Sequence, residues 1–434
     1  MTLLGTLRAS RLRFALEREA AIYASEPPDL ASWQLVRLNA AWAGSLERSP
    51  WARAMRARLS LPAVFESWDT VARVPVQTRA DIRLDIAAAG SAHDPVAWRA
   101  TGGTTAEPFR FPVFPSETRE AGLDQWTGRA RLGISPSNTL FMIWGHAHLF
   151  GVGVRGAVNR LKRTLSDRAL GYTRWSAYRL SPEDLHRAGE ALLASRARYV
   201  IGYSCALDRF ARANLHRADE FRALSLKAVI ATAEGFPRDD SREAIETCFG
   251  CPLVMEYGSV ETGVIAYERA GGPYDVFWDR HRLDLGEETS AGRALIVTSL
   301  NVRALPLLRY AIGDVVWPGP FDPARQFESV GGRVNDAIIL SGGAPIHSEA
   351  FTHVVRDLSD IRVYQIVGHP DGGIPTMRYE ADDPLSDAIV ARLRDRLALI
   401  DPALRETGIE RVDKIPLSVA GKHRMVVQQR PDGG

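Results

Sequence analysis

The sequence predicts an α/β protein with a large N-terminal domain of helices and mixed or parallel strands, followed by a small α+β domain. Three patterns predict this class. Residues 1–100 show helical spacing between proline-marked turns. From about residue 140, apolar β-rich runs alternate with helical patterns, as they do in parallel βαβ units. After about residue 335, short strands surround one helix, so we expect a large domain at 1–332 and a small domain at 333–434.

The first predicted element is an amphipathic helix at 7–23, where Arg and Glu interleave with Leu, Phe and Ala. Strands are expected at 139–144 and 198–203, with a helix at 206–215 after the second of them. The elements expected in the small domain are strands at 337–340, 363–367 and 376–380, a helix at 386–400 and a final Val/Ile-rich segment.

The clearest βαβ unit begins with a strand at 226–233, continues through a turn into a helix, and ends with a strand at 252–257. We expect Asp240 to cap the N-terminus of this helix and Glu243 to complete a capping box. Gly250 stands where a left-handed C-terminal residue is needed. The residues expected at the two ends of this helix therefore support the βαβ assignment.

Composition excludes several classes of function. A formal charge of +2 gives no excess positive field, so we expect neither a nucleic-acid nor a membrane partner. No apolar run approaches the roughly 20 residues that span a bilayer. Three cysteines, Cys205, Cys248 and Cys251, do not make a disulfide framework, which suits a reducing compartment and indicates a soluble cytoplasmic protein. Cys248 and Cys251 have the spacing of half a zinc site, but no second pair exists.

A Gly/Thr-rich loop at 101–109 carries two glycines, three hydroxyls, a proline and the carboxylate Glu107. Its backbone N–H groups and hydroxyls could donate hydrogen bonds to a phosphate that moves during a reaction. It lacks the Gly-Lys-Ser/Thr ending of a P-loop, and a surface turn is the ordinary alternative. The loop by itself therefore does not distinguish a phosphate site from a surface turn.

Further segments of the chain contain candidate site residues. Glu234 and Glu261 follow strands, where open α/β sheets place ligands. Asp314 stands inside an apolar strand pattern, where a carboxylate is costly unless it meets hydroxyls or cations. Glycine-rich segments at 331–336 and 341–343 mark the expected domain boundary. The segment 420–424 carries one of only four lysines in an arginine-rich chain.

In type, order and spacing these motifs resemble those of the acyl-adenylate-forming (AMP-forming ligase) superfamily, specifically its phenylacetate–CoA ligase-like branch, over roughly 70–430. The loop at 101–108 is similar to the Ser-Ser-Gly-Thr-Thr-Gly-Lys-Pro phosphate loop. The segments similar to the adenine, Tyr-Gly-x-x-Glu, ribose, hinge and lysine motifs are 233–235, 257–261, 309–314, 332–336 and 421–422.

The resemblance implies that ATP activates a carboxylic acid, aryl or arylacetic, to an acyl-adenylate with release of pyrophosphate. The acyl group then passes to the thiol of CoA, with Mg²⁺ and ATP as cofactors. One alternative is transfer to a carrier-protein thiol, an amine or another nitrogen nucleophile, and a minor one is a non-catalytic nucleotide-binding homologue. The identity of the acid, the acceptor, the pathway and a homo-oligomeric state stay open.

Three catalytic residues follow from the resemblance: Lys422 as the adenylation lysine, Glu261 as the Mg²⁺ ligand, and Thr105. The residues implied for ATP or AMP are Thr101, Gly102, Gly103, Thr104, Ala233, Glu234, Gly235, Tyr257, Gly258, Ser259, Arg309, Asp314 and Arg333. The residues implied for the acyl pocket are Trp144, His146, His148, Phe150, Gly151, Gly202 and Tyr203.

Two positions depart from the family pattern. Glu107 stands where relatives carry a mobile lysine, and it would repel the departing phosphates if it pointed inward. The hinge about which the small domain rotates in the family is usually Asp, whereas here Asn335 precedes Asp336. Asn keeps the tolerance of unusual backbone angles and loses the charge.

Overall fold

We describe the protein from a computed structural model. The residues that the structure describes are 2–89, 97–100, 109–144, 153–177, 180–289, 292–333, 337–341, 345–347, 351, 354–355, 358, 360–416 and 423–428.

The chain forms two compact units. Unit 1 contains 1–138, 254–287 and 293–329, and unit 2 contains 139–253, 288–292 and 330–434. The division falls at 329/330, next to the expected boundary, but unit 2 groups the C-terminal region with 139–253. A separate small domain at 333–434 stays a prediction.

The first part of unit 1 is helical, as the spacing predicts. Its helices are α1 (Leu3–Ala24), α2 (Leu30–Arg48), α3 (Pro50–Leu59), α4 (Trp68–Ala72), α5 (Arg79–Ala89) and α6 (Pro115–Arg131). A two-stranded antiparallel ribbon of β1 (Ala97–Ala100) and β2 (Arg110–Val113) precedes α6. Trp42, Met55 and Phe65 pack at the centre of this helical region, so it has its own apolar core.

The part of unit 2 at 139–253 alternates strands and helices. Its elements are β3 (Leu140–Trp144), α7 (Gly153–Leu170), β4 (Tyr172–Ser176), α8 (Pro182–Ser195), β5 (Tyr199–Tyr203), α9 (Ser204–Asn214), α10 (Ala218–Ala223), β6 (Val229–Thr232) and α11 (Ser241–Phe249). The strands pair in parallel in the order β6-β5-β3-β4. The predicted βαβ alternation is confirmed here.

The predicted capping box at α11 is wrong. Asp240 precedes the helix but its side chain makes no cap hydrogen bond. Its carboxylate instead accepts from Arg212 at 2.6 and 3.2 Å, so both of its oxygens face a cationic partner rather than the helix N-terminus. Gly250 does end the helix in the left-handed conformation, with φ of +65°.

Unit 1 continues with strands β7 (Leu253–Ser259), β8 (Gly263–Glu268), β9 (Tyr274–Val276), β10 (His281–Thr289), β11 (Gly292–Ser299), β12 (Tyr310–Trp317) and β13 (Gln326–Phe327), and β14 (Ser329–Arg333) follows at the division. The order β13-β9-β8-β7 makes one group, in which each strand is antiparallel to its neighbours. β10, β11 and β12 are neighbours in a second sheet, with β11 antiparallel to β12.

The C-terminal region of unit 2 forms an α+β arrangement. Its elements are β15 (Ala337–Ile339), β16 (Pro345–His347), β17 (Val363–Gly368), β18 (Thr376–Glu380), α12 (Asp387–Ile400), β19 (Gly408–Arg411) and β20 (Val426–Gln428). The sheet order is β19-β18-β17-β20, antiparallel at the centre and parallel at both edges. Ile366, Met377 and Leu393 lie in the core between this sheet and α12.

Among the described residues, none of the helices combines the length and the apolar character that a membrane crossing requires.

Candidate active site

Part of the predicted site lies outside the described residues. These positions are Thr101, Gly102, Gly103, Thr104, Thr105, Glu107, His146, His148, Phe150, Gly151, Asn335, Asp336 and Lys422. Arg333 is the last residue of β14. The described site residues fall into one group in unit 1 and one group in unit 2.

In unit 1, the structure brings together two residues predicted to bind nucleotide. The Tyr257 hydroxyl donates to the Asp314 carboxylate at 2.9 Å, although the two residues are 57 positions apart. Asp314 is buried in β12, so this hydroxyl offsets part of the cost of removing the carboxylate from water. Edge-on contacts with Tyr274 and Phe327 fix the ring of Tyr257, with centroids 6.4 and 5.8 Å away.

Glu261 lies in the turn between β7 and β8 and is only 3% exposed. Its Oε1 accepts from the Arg79 guanidinium, at 2.9 Å from Nε and 2.8 Å from Nη2. The Tyr310 hydroxyl is 3.4 Å from the same oxygen. Burial opposes the charge on Arg79, but Glu261 and Tyr310 raise the pKa of its guanidinium. Burial and Glu261 also raise the pKa of Tyr310.

The ion pair bears on the predicted magnesium site. Among the residues that the structure describes, no group of three or more His, Cys, Asp and Glu side chains is placed to hold a metal ion. Oε1 of Glu261 already faces a cation at 2.8 Å, and a second cation at the same oxygen would be repelled. The role of Glu261 as a Mg²⁺ ligand stays a prediction, and we derive no step through a metal.

Gly258 lies where close backbone packing leaves no room for a side chain. A Cβ at this position would lie 2.2 Å from the carbonyl oxygen of Gly263 and 2.9 Å from the Cα of Val264. The next turn is closed by Ser259 and Thr262, whose side chains and backbone N–H groups bond to each other at 3.1 and 3.2 Å. The glycine of this motif thus has a structural reason within the β7–β8 hairpin.

The Arg309 side chain is bound to backbone carbonyls. Its backbone is left-handed, with φ of +47°, and its guanidinium donates to the carbonyl of Val74 at 2.8 Å and to that of Ala72. The structure therefore ties Arg309 to the loop that follows α4. Its contact with ribose or phosphate stays a prediction.

In unit 2, the predicted adenine segment is bound to the start of α9. The Cys205 N–H donates to the Glu234 carboxylate at 3.0 Å, and the Ser204 hydroxyl donates to the Glu234 carbonyl at 2.7 Å. A carboxylate at a helix N-terminus satisfies a donor that has no partner within the helix. Ala233 has φ of +77°, a conformation that costs a non-glycine residue about 1–3 kcal/mol and is concentrated at ligand sites.

Two residues predicted for the acyl pocket meet at the ends of neighbouring strands. The ring centroids of Trp144 and Tyr203 are 4.4 Å apart. Between them in sequence lies Gly202, where a Cβ would be 2.9 Å from the side chain of Leu207 and 3.3 Å from that of Ile143. Gly202 therefore allows close packing of β5, and the two aromatic rings form one apolar wall.

A cavity of about 330 Å³ in unit 2 joins Tyr203 and Glu234 to residues that sequence reasoning missed. Arg209 donates to the Leu180 carbonyl at 2.8 Å and lies 3.7 Å from Glu380. The other lining residues are Cys205, Ala206, Val363, Ile415 and His423. His423 carried a signal in the sequence, because it directly follows the predicted adenylation lysine.

A second cavity, of about 410 Å³, lies in unit 1 and includes Glu261 among its lining residues. Its walls are ionic: Arg280 donates to Asp124 at 2.8 Å and to Glu19 at 2.7 Å. Although burial opposes the charge, Asp124, Asp279 and Glu19 raise the pKa of Arg280. Sequence reasoning missed this network because its members lie on elements far apart in the chain.

Comparison with known proteins places the fold. No protein-family model matches the chain. Protein CapK of Staphylococcus aureus is 24% identical over 259 residues, which are 58% of this chain and 57% of the length of that protein. The structure of 2-hydroxyisobutyryl-CoA ligase in the postadenylation state with 2-HIB-AMP has a TM-score of 0.67 at 17% identity, covering 92% of this chain and 90% of that chain.

Two further structures extend the comparison. The same ligase with 2-HIB-AMP and CoA in the thioesterification state has a TM-score of 0.54 at 17% identity, covering 92% of this chain and 90% of that chain. Anthranilate CoA ligase with anthranoyl-AMP has a TM-score of 0.53 at 16% identity, covering 77% and 67% of the two chains. The chain has the fold of the AMP-forming CoA ligases. The predicted α/β class is confirmed within this ligase fold, and the phenylacetate–CoA ligase-like branch stays a prediction.

Proposed function

We propose that the protein uses ATP to activate a carboxylic acid of the aryl or arylacetic class and passes the acyl group to the thiol of CoA. The observation that carries the proposal is the Tyr257–Asp314 hydrogen bond of 2.9 Å within a fold shared with acid–CoA ligases over 92% of the chain. A buried carboxylate that already accepts from a tyrosine hydroxyl is the kind of group to which the hydroxyls of a ribose can donate.

The adenine would be read by the backbone at 233–235. Ala233 holds a positive φ at the end of β6, and Glu234 is fixed by both Ser204 and Cys205. Because these contacts engage the Glu234 carboxylate and the Glu234 carbonyl, we assign the recognition to the other main-chain groups of 233–235. Rigid support of this kind keeps a binding backbone in place.

The chemistry joins two anions. An oxygen of the substrate carboxylate attacks the α-phosphorus of ATP, the bond from that phosphorus to the bridging oxygen of the β-phosphate breaks, and pyrophosphate leaves. The repulsion between carboxylate and phosphate must be offset by donors and cations aimed at the developing charge. We assign this role to Lys422, whose ammonium is a compact point charge. In the second step the thiol sulfur attacks the acyl carbon, AMP leaves, and the thiol proton passes to solvent.

The preference for a flat aromatic acid rests on the Trp144–Tyr203 wall. Ring centroids 4.4 Å apart give an apolar surface against which a third ring can stack or pack edge-on. Tyr203 is 2% exposed, so its place is fixed by the fold. A small set of polar groups beside an apolar wall is the usual composition of a pocket for such a ligand.

The experiment is a screen of pyrophosphate release with ATP and a panel of aryl, arylacetic and amino-substituted acids, with and without CoA. Acid-dependent release together with acyl-CoA detected by mass spectrometry is the expected result. Release without acyl-CoA would overturn CoA as the acceptor in favour of a carrier-protein thiol or a nitrogen nucleophile. AMP binding without release for any acid would support the non-catalytic homologue.

A further inference from the structure

The ion pair of unit 1 joins a partly exposed cation to a buried carboxylate. The side chain of Arg79 is 32% exposed, whereas that of Glu261 is 3% exposed and lines the unit 1 cavity. Nε and Nη2 of Arg79 contact Oε1 of Glu261 at 2.9 and 2.8 Å, and the Tyr310 hydroxyl lies 3.4 Å from the same oxygen. Within the part of the chain that the structure describes, the hydrogen bonds to this carboxylate therefore reach one of its two oxygens.

The backbone that carries Arg79 is fixed. Arg79 is the first residue of α5. Two residues earlier, the Gln77 N–H donates to the Arg309 carbonyl at 2.9 Å, and the Ala311 N–H donates to the Gln77 carbonyl at 2.9 Å. The guanidinium can therefore leave the carboxylate by rotation about side-chain bonds alone, and exposed side chains change rotamer without rearrangement of the backbone.

A second ion pair of unit 1 has similar burial and a different geometry. Arg58 donates from Nε to Oδ1 of Asp85 at 2.7 Å and from Nη2 to Oδ2 at 2.8 Å. The exposed fractions are 26% for the Arg58 side chain and 1% for that of Asp85. Both oxygens of Asp85 are thus engaged by one guanidinium, which is the stronger, bidentate arrangement, and neither of the two cavities described above is lined by Asp85. Glu261 differs from Asp85 on both counts.

We propose that the Arg79 guanidinium and a divalent cation compete for the Glu261 carboxylate, so that a cation binds Glu261 only when the Arg79 side chain turns towards solvent. Carboxylate oxygens are the ligands that Mg²⁺ and Mn²⁺ prefer. A divalent cation at this carboxylate would lie beside the guanidinium and be repelled by it. A buried carboxylate needs a positive partner, and Arg79 supplies one in the absence of metal. The inference concerns the protein without nucleotide or acid and does not rest on the proposed function.

The first test measures Mn²⁺ binding to the full chain by electron paramagnetic resonance, with neither nucleotide nor acid present. Arg79→Met keeps an unbranched side chain and removes the charge, and it should bind Mn²⁺ about tenfold more tightly than the wild type, a usual size for coupling between two ligands. Adding Glu261→Gln should abolish this gain. Arg79→Lys keeps a cation and should bind as weakly as the wild type. Arg58→Met is the matched control and should also stay at the wild-type level.

The second test follows the Arg79 side chain in the wild-type protein, so it does not depend on the folding of any variant. Phenylglyoxal labels arginine side chains, and mass spectrometry of the peptides measures the labelling rate of each. Saturating Mn²⁺, compared with KCl at equal ionic strength, should speed labelling of Arg79 by about threefold through local opening. Labelling of Arg58 should not change, because its carboxylate partner stays engaged at both oxygens.

Several results would overturn the competition. Equal Mn²⁺ binding by the wild type and Arg79→Met would do so, as would a gain that survives Glu261→Gln or that Arg58→Met shares. Labelling of Arg79 that Mn²⁺ leaves unchanged would show that the cation does not displace the guanidinium. The proposed function fails separately: absence of pyrophosphate release with every acid would overturn the reaction and leave the competition between Arg79 and the cation standing.

Discussion

The candidate site residues of unit 1 are held by ionic and charge-assisted contacts, whereas unit 2 also contains a contact between neutral groups. In unit 1 the groups are ionic or charge-assisted: Glu261 is paired with Arg79 at 2.8 Å, and Asp314 accepts from Tyr257 at 2.9 Å. In unit 2 the contact between Cys205 and His423 joins two neutral groups. Breaking a buried ion pair leaves an unpaired charge, whereas separating a neutral pair costs less. The comparison indicates a rigid binding surface in unit 1 and a more easily exchanged contact in unit 2.

The largest effect is expected from removing Lys422, the cation that we assign to the reaction. Lys422→Ala should lower pyrophosphate release by about 10²–10³-fold, the usual cost of removing an electrostatic stabiliser of the transition state. Thioester formation from pre-made adenylate should persist. Both rates are measured by single-turnover assays. Unchanged pyrophosphate release would contradict the role of Lys422, and Lys227→Ala, which removes a lysine not assigned to the site, serves as control.

Acidification tests the neutral state of the unit 2 contact. The pKa of His423 is about 4 in the folded protein against an ordinary 6.5, so the unfolded chain binds the proton more readily. The contribution of the neutral imidazole to the free energy of unfolding is fully present above pH 6.5. It is lost as the pH falls, and at pH 4 the loss is about 3 kcal/mol. The measurement is the difference between wild type and His423→Asn in urea unfolding across this range. Parallel pH profiles for the two proteins would show that His423 is not held neutral.

Removing the cation of the unit 1 pair tests its ionic character. Arg79→Ala should cost about 2 kcal/mol of unfolding free energy, below the 3–5 kcal/mol of a fully buried pair, because the Arg79 side chain is 32% exposed. Arg79→Ala combined with Glu261→Gln should recover most of the loss, since no unpaired charge remains. Urea denaturation of the four proteins of this cycle measures the coupling. Additive losses would mean that the two side chains act independently.

A smaller effect is expected at Tyr257 and Asp314, the pair that we propose binds the nucleotide. Tyr257→Phe removes one hydrogen bond to a carboxylate and should raise the KM for ATP by about tenfold, equivalent to about 1.4 kcal/mol. The effect should be weaker when Asp314→Asn is already present, because the two side chains bond to each other. Steady-state kinetics of the single and double variants provide the measurement. If the effects of the two substitutions on KM were fully additive, the hydroxyl and the carboxylate would act independently.

The smallest effect is expected at Glu107, which stands where the related phosphate loop carries lysine. Glu107→Lys should leave the rate of pyrophosphate release equal or higher, because it replaces a charge that repels phosphate with one that attracts it. Glu107→Gln separates loss of the negative charge from gain of the positive one. A large loss in both variants would assign the carboxylate a role that the family pattern does not supply.

Local pattern was sufficient for many of the elements and for naming candidate site residues. The alternation of apolar runs with helical spacing predicted the parallel strands β3, β5 and β6, and Gly250 ended α11 as expected. Tyr257 and Asp314 both belong to motifs of the sequence, and the structure joins them by a hydrogen bond. These features are determined by the sequence because backbone periodicity and glycine conformation act within a few residues.

Only the tertiary structure determined which side chains contact each other. It paired Asp240 with Arg212 instead of a helix cap, placed the Arg309 guanidinium on carbonyls of the loop after α4, and joined Glu261 to Arg79 across 182 positions. It also seated His423 against Cys205. Each of these contacts depends on where distant elements pack, and the electrostatic cost of burial then selects the partner. Neither the packing nor that cost is encoded in the spacing of residues along the chain.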